Sequence, residues 1–524
     1  MLSVQKFLAT FAFAFILATV PGFGQTSPGS ALSARAAARF LDQATWGPTP
    51  ASIAQLQTLG INAWLTQQFA LNTSDLPDQP LLNSTGGTNT AMGPIDSAFF
   101  VNAVTGNDQL RQRVAFALSE IWVVSQVSVP NAYAFPPYWR ILRDNAFGNY
   151  RNIISAVTLN PAMGTYLNMA NNNKGNSLVA ANENYARELM QLFTLGLTQL
   201  NPDGSPVLDS NGNPVPTYTP AIIPEMAAVF TGWTYPTAPG ATAKNNNPAY
   251  YFGQMIAAAP NHDETAKAIF NNITIPAGQT AQQDLTSVIN ALMAHPTLAP
   301  FISQQLIQHL VTSNPSPAYI KRVSSVFSND GTGTAGNMQA VITAILTDPE
   351  ARAADDPNAP ANPSFGHLRE PVLLMTNLLL GLNGTLGANS AINNQTTSLS
   401  QNLFNSPTVF SYFSPLNVTE KGLLGPEFEI YSTQTASTRA DLVNTILYGT
   451  LDKSTTVDLT PFSNVASNID TLLNTIGSVF LHDGMSSSLY KAAYTAAAAQ
   501  TTAKAAAQAA LYVVLTSGEY QVIQ

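Results

Sequence analysis

Apolar residues recur at intervals of three and four along most of the chain, the spacing that places them on one face of an α-helix. The pattern begins at Ala31 and continues to Val514, with interruptions at clusters of Pro, Gly and Asn. It predicts helices over residues 31–44, 50–59, 61–69, 110–124, 149–159, 183–195, 220–230, 280–294, 298–311, 317–327, 337–347, 371–382, 433–447, 469–480 and 486–514.

The alternation typical of β-strands is scarce. The best case lies at 200–218, where Asp203-Gly204 and Asn211-Gly212 surround a short apolar piece and indicate a small β-hairpin or extended flap. No stretch resembles an interdomain linker, and no repeat of fixed period occurs. We therefore predict one large all-α, predominantly helical domain over residues 25–524, with the hairpin or flap as its main irregularity.

Residues 1–24 have the pattern of a Sec-type signal peptide. A start with one positive side chain, Lys6, precedes an apolar run from Phe7 to Val20 and a Pro-Gly-Phe-Gly sequence that ends at Gly24. The run is shorter than the ~20 residues that cross a bilayer. We expect cleavage after Gly24, export to the periplasm or the extracellular space, and no membrane span in the cleaved protein.

Composition excludes several classes of function. The chain of 524 residues has 30 acidic and 21 basic side chains, a net charge of -9 and no basic tract, which argues against nucleic acid as a partner. The absence of cysteine excludes disulfides, thiolate catalysis and Cys-ligated metals. No GxSxG, HExxH or HxH pattern is present, and no Walker or Rossmann glycine pattern accompanies a predicted strand, so the cofactor and metal remain unknown.

Eight segments carry distinctive sequence in a fixed order: ARFLDQATWGPTPASIAQLQTLGINAWLTQQF at 38–69, LNPAMGTYLN at 159–168, NENYARELMQLFTLG at 182–196, FTGWTY at 230–235, NHDETAK at 261–267, HPTLAPFISQQLIQHLV at 295–311, REPVLLMTNLLLGL at 369–382 and LTSGEYQV at 515–522. Together they resemble the bacterial domain-of-unknown-function 1800 family. The resemblance implies an exported, mainly helical protein of unknown activity. It also implies, as a partner, a second exported, sulfatase-like protein encoded nearby.

The helix predicted at 183–195 concentrates charge in a chain that has only 10% charged residues. Glu183 and Arg187 share its polar side, with Asn184 and Glu188 beside them, and both pairs have the i,i+4 spacing at which side chains meet. Asn182 precedes the helix as an N-cap. Two interpretations remain open: a solvated face with a surface ion pair, or a buried polar cluster that binds a ligand.

The segment around His262 offers a second group. Histidine beside Asp263 can ligate a metal or move a proton, whereas the structural alternative is a capped helix start with an Asp263–Lys267 pair at i,i+4. The other histidines are dispersed along the sequence: His295, His309, His367 and His482.

Two further residues are candidates for ligand binding. Trp233 follows a glycine, which favours core packing under a tight turn over a stacking platform for a sugar. Arg369 stands before Glu370 and Pro371, a combination that a helix start explains, although the guanidinium could also clamp an anion.

Two functions are compatible with these residues. The first is a hydrolase-like exported enzyme, with Glu183, Arg187, Glu188, His262 and Asp263 as its catalytic residues in one polar cleft. Its ligand would contact a second set: Asn182, Asn184, Lys267, Trp233 and Arg369. The second is a non-catalytic binding or scaffold protein of the envelope or extracellular space. Convergence of the two charged segments would favour the enzyme.

We predict that the exported protein begins near Gln25, because a short charged start and an apolar run precede that position. N-terminal sequencing of protein recovered outside the cytoplasm tests this, and an intact Met1 would contradict it.

Overall fold

Helices dominate the fold, as the apolar periodicity predicts. The computed structural model describes residues 32–360, 362–387 and 391–524; the predicted signal peptide and its cleavage point lie outside them. The helices are α1 Ala34–Ala44, α2 Pro50–Leu59, α3 Ile61–Ala70, α4 Gly93–Thr105, α5 Gln109–Ile121, α6 Phe135–Asp144, α7 Tyr150–Thr158, α8 Pro161–Tyr166, α9 Asn184–Glu188, α10 Ile222–Val229, α11 Ala281–Ala294, α12 Leu298–Leu310, α13 Pro317–Ser328, α14 Met338–Thr347, α15 Pro349–Arg352, α16 Pro371–Gly381, α17 Ile392–Ser398, α18 Thr433–Tyr448, α19 Thr460–Ser463, α20 Ile469–Phe480, α21 Ser487–Ala498, α22 Ala503–Leu515 and α23 Gly518–Gln521.

Short antiparallel strand pairs connect the helices. The strands are β1 Trp233–Thr234, β2 Ile256–Ala257, β3 Lys267–Ile269, β4 Ile273–Ile275, β5 His367–Leu368, β6 Thr385–Leu386, β7 Thr455–Thr456 and β8 Val522–Ile523. The pairs are β1 with β2, β3 with β4, β5 with β8, and β6 with β7. The predominantly helical fold is therefore confirmed, and the described residues form one compact unit.

The extended flap predicted near 200–218 is present. It contains three antiparallel segments, since the backbone N–H of Val207 donates to Gln199 O and that of Val215 donates to Val207 O, each at 2.8 Å. A third bond of 2.8 Å runs from Gln199 N to Val215 O and closes the flap at its base.

The observed helices depart from the expected ones in two ways. The helix predicted over 486–514 is two helices, α21 and α22, because Thr502 caps the second through a bond from Ala505 N to its hydroxyl at 3.2 Å. Seven helices in the described ranges were not predicted: α4, α6, α8, α15, α17, α19 and α23. Helices α4 and α6 each have proline at their second residue, Pro94 and Pro136, which resembles a loop signal in the sequence although proline fits the first turn of a helix.

A buried ion pair between Asp42 of α1 and Arg369 joins the two ends of the chain. The guanidinium donates to both Asp42 oxygens at 2.8 Å, and Asn377 donates to Asp42 Oδ1 at 3.0 Å. The backbone N–H of Arg369 donates to Gln521 O, which brings α23 against the start of α16. Arg369 is thus saturated by the protein itself, and the expectation that it clamps a ligand is wrong.

Burial alone would raise the pKa of Asp42, but Arg369, with a contribution from His482, holds the pKa well below its usual value. The carboxylate therefore stays ionised inside the protein, as a paired buried charge must.

Among the residues that the structure describes, no single helix is both long and apolar enough to cross a membrane. One pair, Ala281–Ala294 with Leu298–Leu310, meets the length and composition requirements together but is bent by 75°.

We expect Arg369→Ala to destabilise the protein by ~3 to 5 kcal/mol, because it leaves Asp42 as a buried charge without its partner. Denaturant unfolding measures the change. Arg187→Ala is the matched control, since it removes an ion pair whose side chains are about 40% exposed, and it should cost less than ~1 kcal/mol. Similar losses in the two variants would contradict this assignment.

Candidate active site

An apolar pocket of about 500 Å³ opens beside the base of the flap. Helix α12 forms one wall, and the segment from Val409 to Glu427 forms another. The apolar lining comprises Ile121, Leu192, Leu197, Leu200, Phe301, Val409, Phe410, Phe413, Pro415, Leu416, Leu424 and Pro426. A pocket of this size and character suits a small organic ligand.

Three ionisable side chains line the pocket among these apolar groups. They are Glu120 near the end of α5, His309 in the last turn of α12, and Glu427 in a 3₁₀-helix at Pro426–Ile430. The side chain of Glu120 is 1% exposed and that of His309 18%, so the imidazole is the more accessible of these two. His309 Nδ1 lies 3.3 Å from Glu120 Oε2.

Glu370 lies behind Glu120 and completes a pair of carboxyl groups. The two carboxyls hydrogen-bond to each other. Gln401 Nε2 donates to Glu370 Oε2 at 2.5 Å and to Glu120 Oε1 at 3.3 Å. Because two neighbouring carboxylates repel each other, the arrangement requires a shared proton.

Arg113 is a cation whose charge acts on both members of this pair. It lies on α5 two turns before Glu120, is fully buried, and donates from Nη2 to the backbone oxygen of His309 at 2.5 Å. Its charge lowers the pKa of both Glu120 and Glu370, but burial outweighs it, together with repulsion from Glu427 at Glu120 and from Glu120 at Glu370.

A second histidine, His367 of strand β5, contacts Glu427 of the pocket. His367 Nδ1 lies 3.1 Å from Glu427 Oε1, and both side chains are buried. We call Glu120, Glu370 and Glu427 the glutamate cluster. Two guanidinium groups, Arg113 and Arg439, interact with its three carboxyl groups, so the cluster has fewer fixed positive charges than carboxyls.

Burial and the shortage of cations shift the protonation of this site. Burial raises the pKa of Glu120 to about 7. Burial, followed by repulsion from Glu120, raises the pKa of Glu370 far above its usual value. Burial lowers the pKa of His309, so its imidazole is neutral at pH 7. Glu120 can therefore exchange a proton near neutral pH.

The helix predicted at 183–195 reaches the pocket through its second half. That half is a π-helix, Leu189–Thr194, in which Thr194 Oγ1 donates to Leu189 O at 2.5 Å. Gln191 and Leu192 of this turn line the pocket. Such π-helical turns occur frequently at functional sites.

The charged half of the same helix lies elsewhere. Arg187 Nη2 donates to Glu183 Oε2 at 2.8 Å, and the side chains are 42% and 38% exposed. The expectation that this pair is buried in an internal cleft is therefore wrong. The reason is that α9 turns its apolar side, with Tyr185 and Ala186 buried, toward the core.

The three neighbours of this pair have different surroundings. Burial raises the pKa of Glu188, which is partly buried. The expectation that Asn182 is the N-cap is wrong, because Glu183 holds that position and makes no cap hydrogen bond through its side chain. Asn182 Oδ1 accepts from Asn184 N at 2.9 Å, and Asn184 Nδ2 donates to Asn168 Oδ1 at 3.1 Å. None of these residues lines the pocket described above, within the described part of the chain.

His262 and Lys267 meet at a carboxylate that the sequence did not indicate. His262 Nε2 lies 3.3 Å and Lys267 Nζ 2.9 Å from Asp284 Oδ2, and all three side chains are at most 1% exposed. Lys267 also donates to the backbone oxygens of Asp263 and Thr265. This closed group holds the 259–278 segment against α11 and offers no accessible surface for a substrate.

The predicted helix start at Asn261 does not form. A short 3₁₀ turn at Ala259–Asn261 is followed by extended backbone at His262, and Lys267 begins strand β3. Asp263 is engaged by its own turn, since its Oδ1 accepts from Thr265 N at 2.8 Å. The i,i+4 pair therefore forms through the Asp263 backbone oxygen instead of its carboxylate.

Trp233 packs in the core, as its position after a glycine suggested. Gly232 has a φ of +78°, and an added Cβ would lie 2.7 Å from His262 Cβ, so only glycine permits this approach. Trp233 itself is 3% exposed and pairs with Ala257 in the β1–β2 sheet.

The charged residues of the pocket were not identified from the sequence, because they are far apart in it and no two of them form a known motif. One signal was present: Arg113 and Glu120 lie seven residues apart on the apolar face of one helix, where charge is costly unless paired. His309 likewise follows Ile302 and Leu306 on the buried face of α12.

No metal site is evident in the described ranges: they contain no group of three or more His, Asp or Glu side chains placed to hold an ion.

The sequence profile of one family, described as Protein of unknown function (DUF1800), matches residues 39–522. The chain belongs to this family. The match covers nearly the whole sequence and confirms the resemblance seen in its eight segments. No curated protein and no solved structure matches the chain.

We expect Glu120 to make stability depend on pH. Its pKa rises from 4.5 to about 7 on folding, so the folded protein keeps a proton that the unfolded chain releases between these values. The contribution to stability is present below pH 4.5 and is lost as the pH rises to 7. Relative to Glu120→Gln, the wild type should lose on the order of 3 kcal/mol across this range.

Urea unfolding of the two proteins at a series of pH values measures this difference. Parallel pH profiles for the wild type and Glu120→Gln would contradict the raised pKa.

Proposed function

We propose that the protein is an exported hydrolase that cleaves amide or ester bonds in small, largely apolar substrates, with Glu120 as the general base. The observation that carries the proposal is the pair of buried, mutually hydrogen-bonded carboxyls of Glu120 and Glu370 at an apolar pocket. The N-terminal pattern of residues 1–24 supports export.

The raised pKa of Glu120 supports its role as a base. A general base is most effective when its pKa lies near the working pH, and burial brings Glu120 to about 7. Glu370 keeps its proton and, through its hydrogen bond to Glu120, orients that carboxylate. His309 lies beside Glu120 at the accessible side, where it can position a water molecule.

The pocket also contains a free donor for a carbonyl oxygen. Gln305 Nε2 is buried and makes no hydrogen bond among the residues described, and Gln305 lines the pocket. A donor held in this way can stabilise the negative charge that develops on the oxygen of an attacked carbonyl.

The proposed reaction balances with water as the second substrate. Glu120 takes a proton from water while the water oxygen bonds to the carbonyl carbon, and Gln305 donates to the carbonyl oxygen. The bond from carbon to the leaving nitrogen or oxygen then breaks, and Glu120 returns the proton to the leaving group.

A non-catalytic binding function is the second candidate. Leu197 and Leu416 are well exposed at the mouth of the pocket, and an apolar rim is typical of surfaces that receive apolar ligands. In this case, the pocket would bind ligands without converting them.

We expect Glu120→Gln to lower kcat by ~10² to 10⁴-fold, the usual contribution of a general base. The assay uses two series of chromogenic substrates, p-nitroanilides and p-nitrophenyl esters of fatty acids from acetyl to octanoyl. In the wild type, kcat/KM should fall as the pH drops below about 7, because Glu120 then becomes protonated.

Asp96→Asn is the matched control. Burial also raises the pKa of Asp96 to about 7, but this residue does not line the pocket, so activity should be unchanged. Turnover that survives Glu120→Gln, or no turnover in either series, would contradict the hydrolase.

A further inference from the structure

We infer that the ligand of this pocket carries a protonated amine on an apolar chain or ring, with the amine against Glu120 and Glu427. This inference rests on the proposed function and names the substrate class of the same site. For an amide substrate, the amine is the one that cleavage releases, since it receives its proton from Glu120 and leaves that carboxylate free for water before the bond breaks.

Unpartnered acceptors are the first argument. Glu120 Oε2 and Glu427 Oε2 are buried and make no hydrogen bond in the part of the chain that the structure describes, although His309 Nδ1 lies 3.3 Å from Glu120 Oε2. Both residues are at most 6% exposed, and both line the pocket. A buried carboxylate oxygen without a donor is costly, so the pocket is complementary to a group that donates hydrogen bonds.

The charge of the pocket is the second argument. Its described lining contains two glutamates and no lysine or arginine. The nearest guanidinium, Arg113, is buried beneath and donates to the His309 backbone. A carboxylate or phosphate would face Glu120 and Glu427 with no cation to neutralise it, whereas an ammonium group supplies both donors and the missing charge.

The apolar side chains that line the pocket indicate that the rest of the ligand is apolar. Leu192, Leu200 and Phe301 lie inside the pocket, and the lining continues outward to Leu197 and Leu416, which are 60% and 76% exposed. The described lining therefore offers an apolar chain several apolar side chains in the same pocket as the two carboxylates. The combination favours an amphiphilic amine over a polar or polyanionic ligand.

Calorimetric titration of the purified wild type with octylamine, octan-1-ol and octanoate tests this inference. The three share one chain and differ only in the head group. We expect octylamine to bind at least ~10-fold more tightly than octanol, as a charge-assisted hydrogen bond would provide, and octanoate to bind more weakly than either.

Proton exchange provides a second readout. At pH 6, the cation should displace a proton from the glutamate cluster, which is surrounded by Arg113, Arg439, His309, His367 and Tyr412. The enthalpy of octylamine binding should therefore change with the ionisation enthalpy of the buffer, and that of octanol binding should not.

Glu427→Gln should lower octylamine affinity at least ~10-fold and leave octanol affinity unchanged, with Asp96→Asn as the control that alters neither. If Glu427→Gln does not fold, the comparison of the three ligands on the wild type still decides the question. Equal binding of amine and alcohol, or tighter binding of octanoate, would overturn the inference.

The outcomes separate the two proposals. Hydrolysis that depends on Glu120 without a preference for amines contradicts only the amine head group. Selective amine binding without hydrolysis contradicts only the enzyme.

Discussion

The buried ion pair between Asp42 and Arg369 is the interaction on which the rest of the structure depends. It connects α1 at the start of the described chain to the beginning of α16, and the Arg369 backbone also bonds to Gln521 near the end. Because Glu370 follows Arg369 directly, the same contact fixes where the Glu370 carboxyl lies. The pair therefore holds the two ends of the fold together and positions one half of the candidate site. An ion pair that stabilises the fold therefore also determines the position of a carboxyl group in the candidate site.

Asp42 and Glu370 are both fully buried, yet the pKa of Asp42 is lowered and the pKa of Glu370 is raised. Asp42 faces a bidentate guanidinium, so its pKa falls despite complete burial. Glu370 faces another carboxyl group, so burial and repulsion act in the same direction and its pKa rises. The first environment stabilises a fixed charge. The environment of Glu370 leaves a proton to be shared between two carboxyl groups, and this pair lies beside an apolar pocket. Acid–base chemistry and recognition of a cation both require such carboxyl groups at a pocket.

The candidate site could be predicted only in small part. The concentration of charge at Glu183 and Arg187 was a true feature of the sequence, yet these side chains are partly exposed and pair with each other. His262 and Lys267 were expected to act with Asp263, but their side chains converge on Asp284, from a helix about twenty residues away, and form a closed cluster. Charge density along a chain does not report burial, because burial depends on which other segment covers the residue.

The sequence by itself determined the helical periodicity, most helix boundaries, the flap near 200–218 and the family, because these depend on neighbours within a few turns or on the order of segments. Only the tertiary structure decided the site. Glu120, His309, Glu370 and Glu427 come from segments up to about three hundred residues apart, and each has an unremarkable local pattern. Their pKa values and their relation to the pocket arise from desolvation and mutual repulsion, which exist only after distant helices pack together.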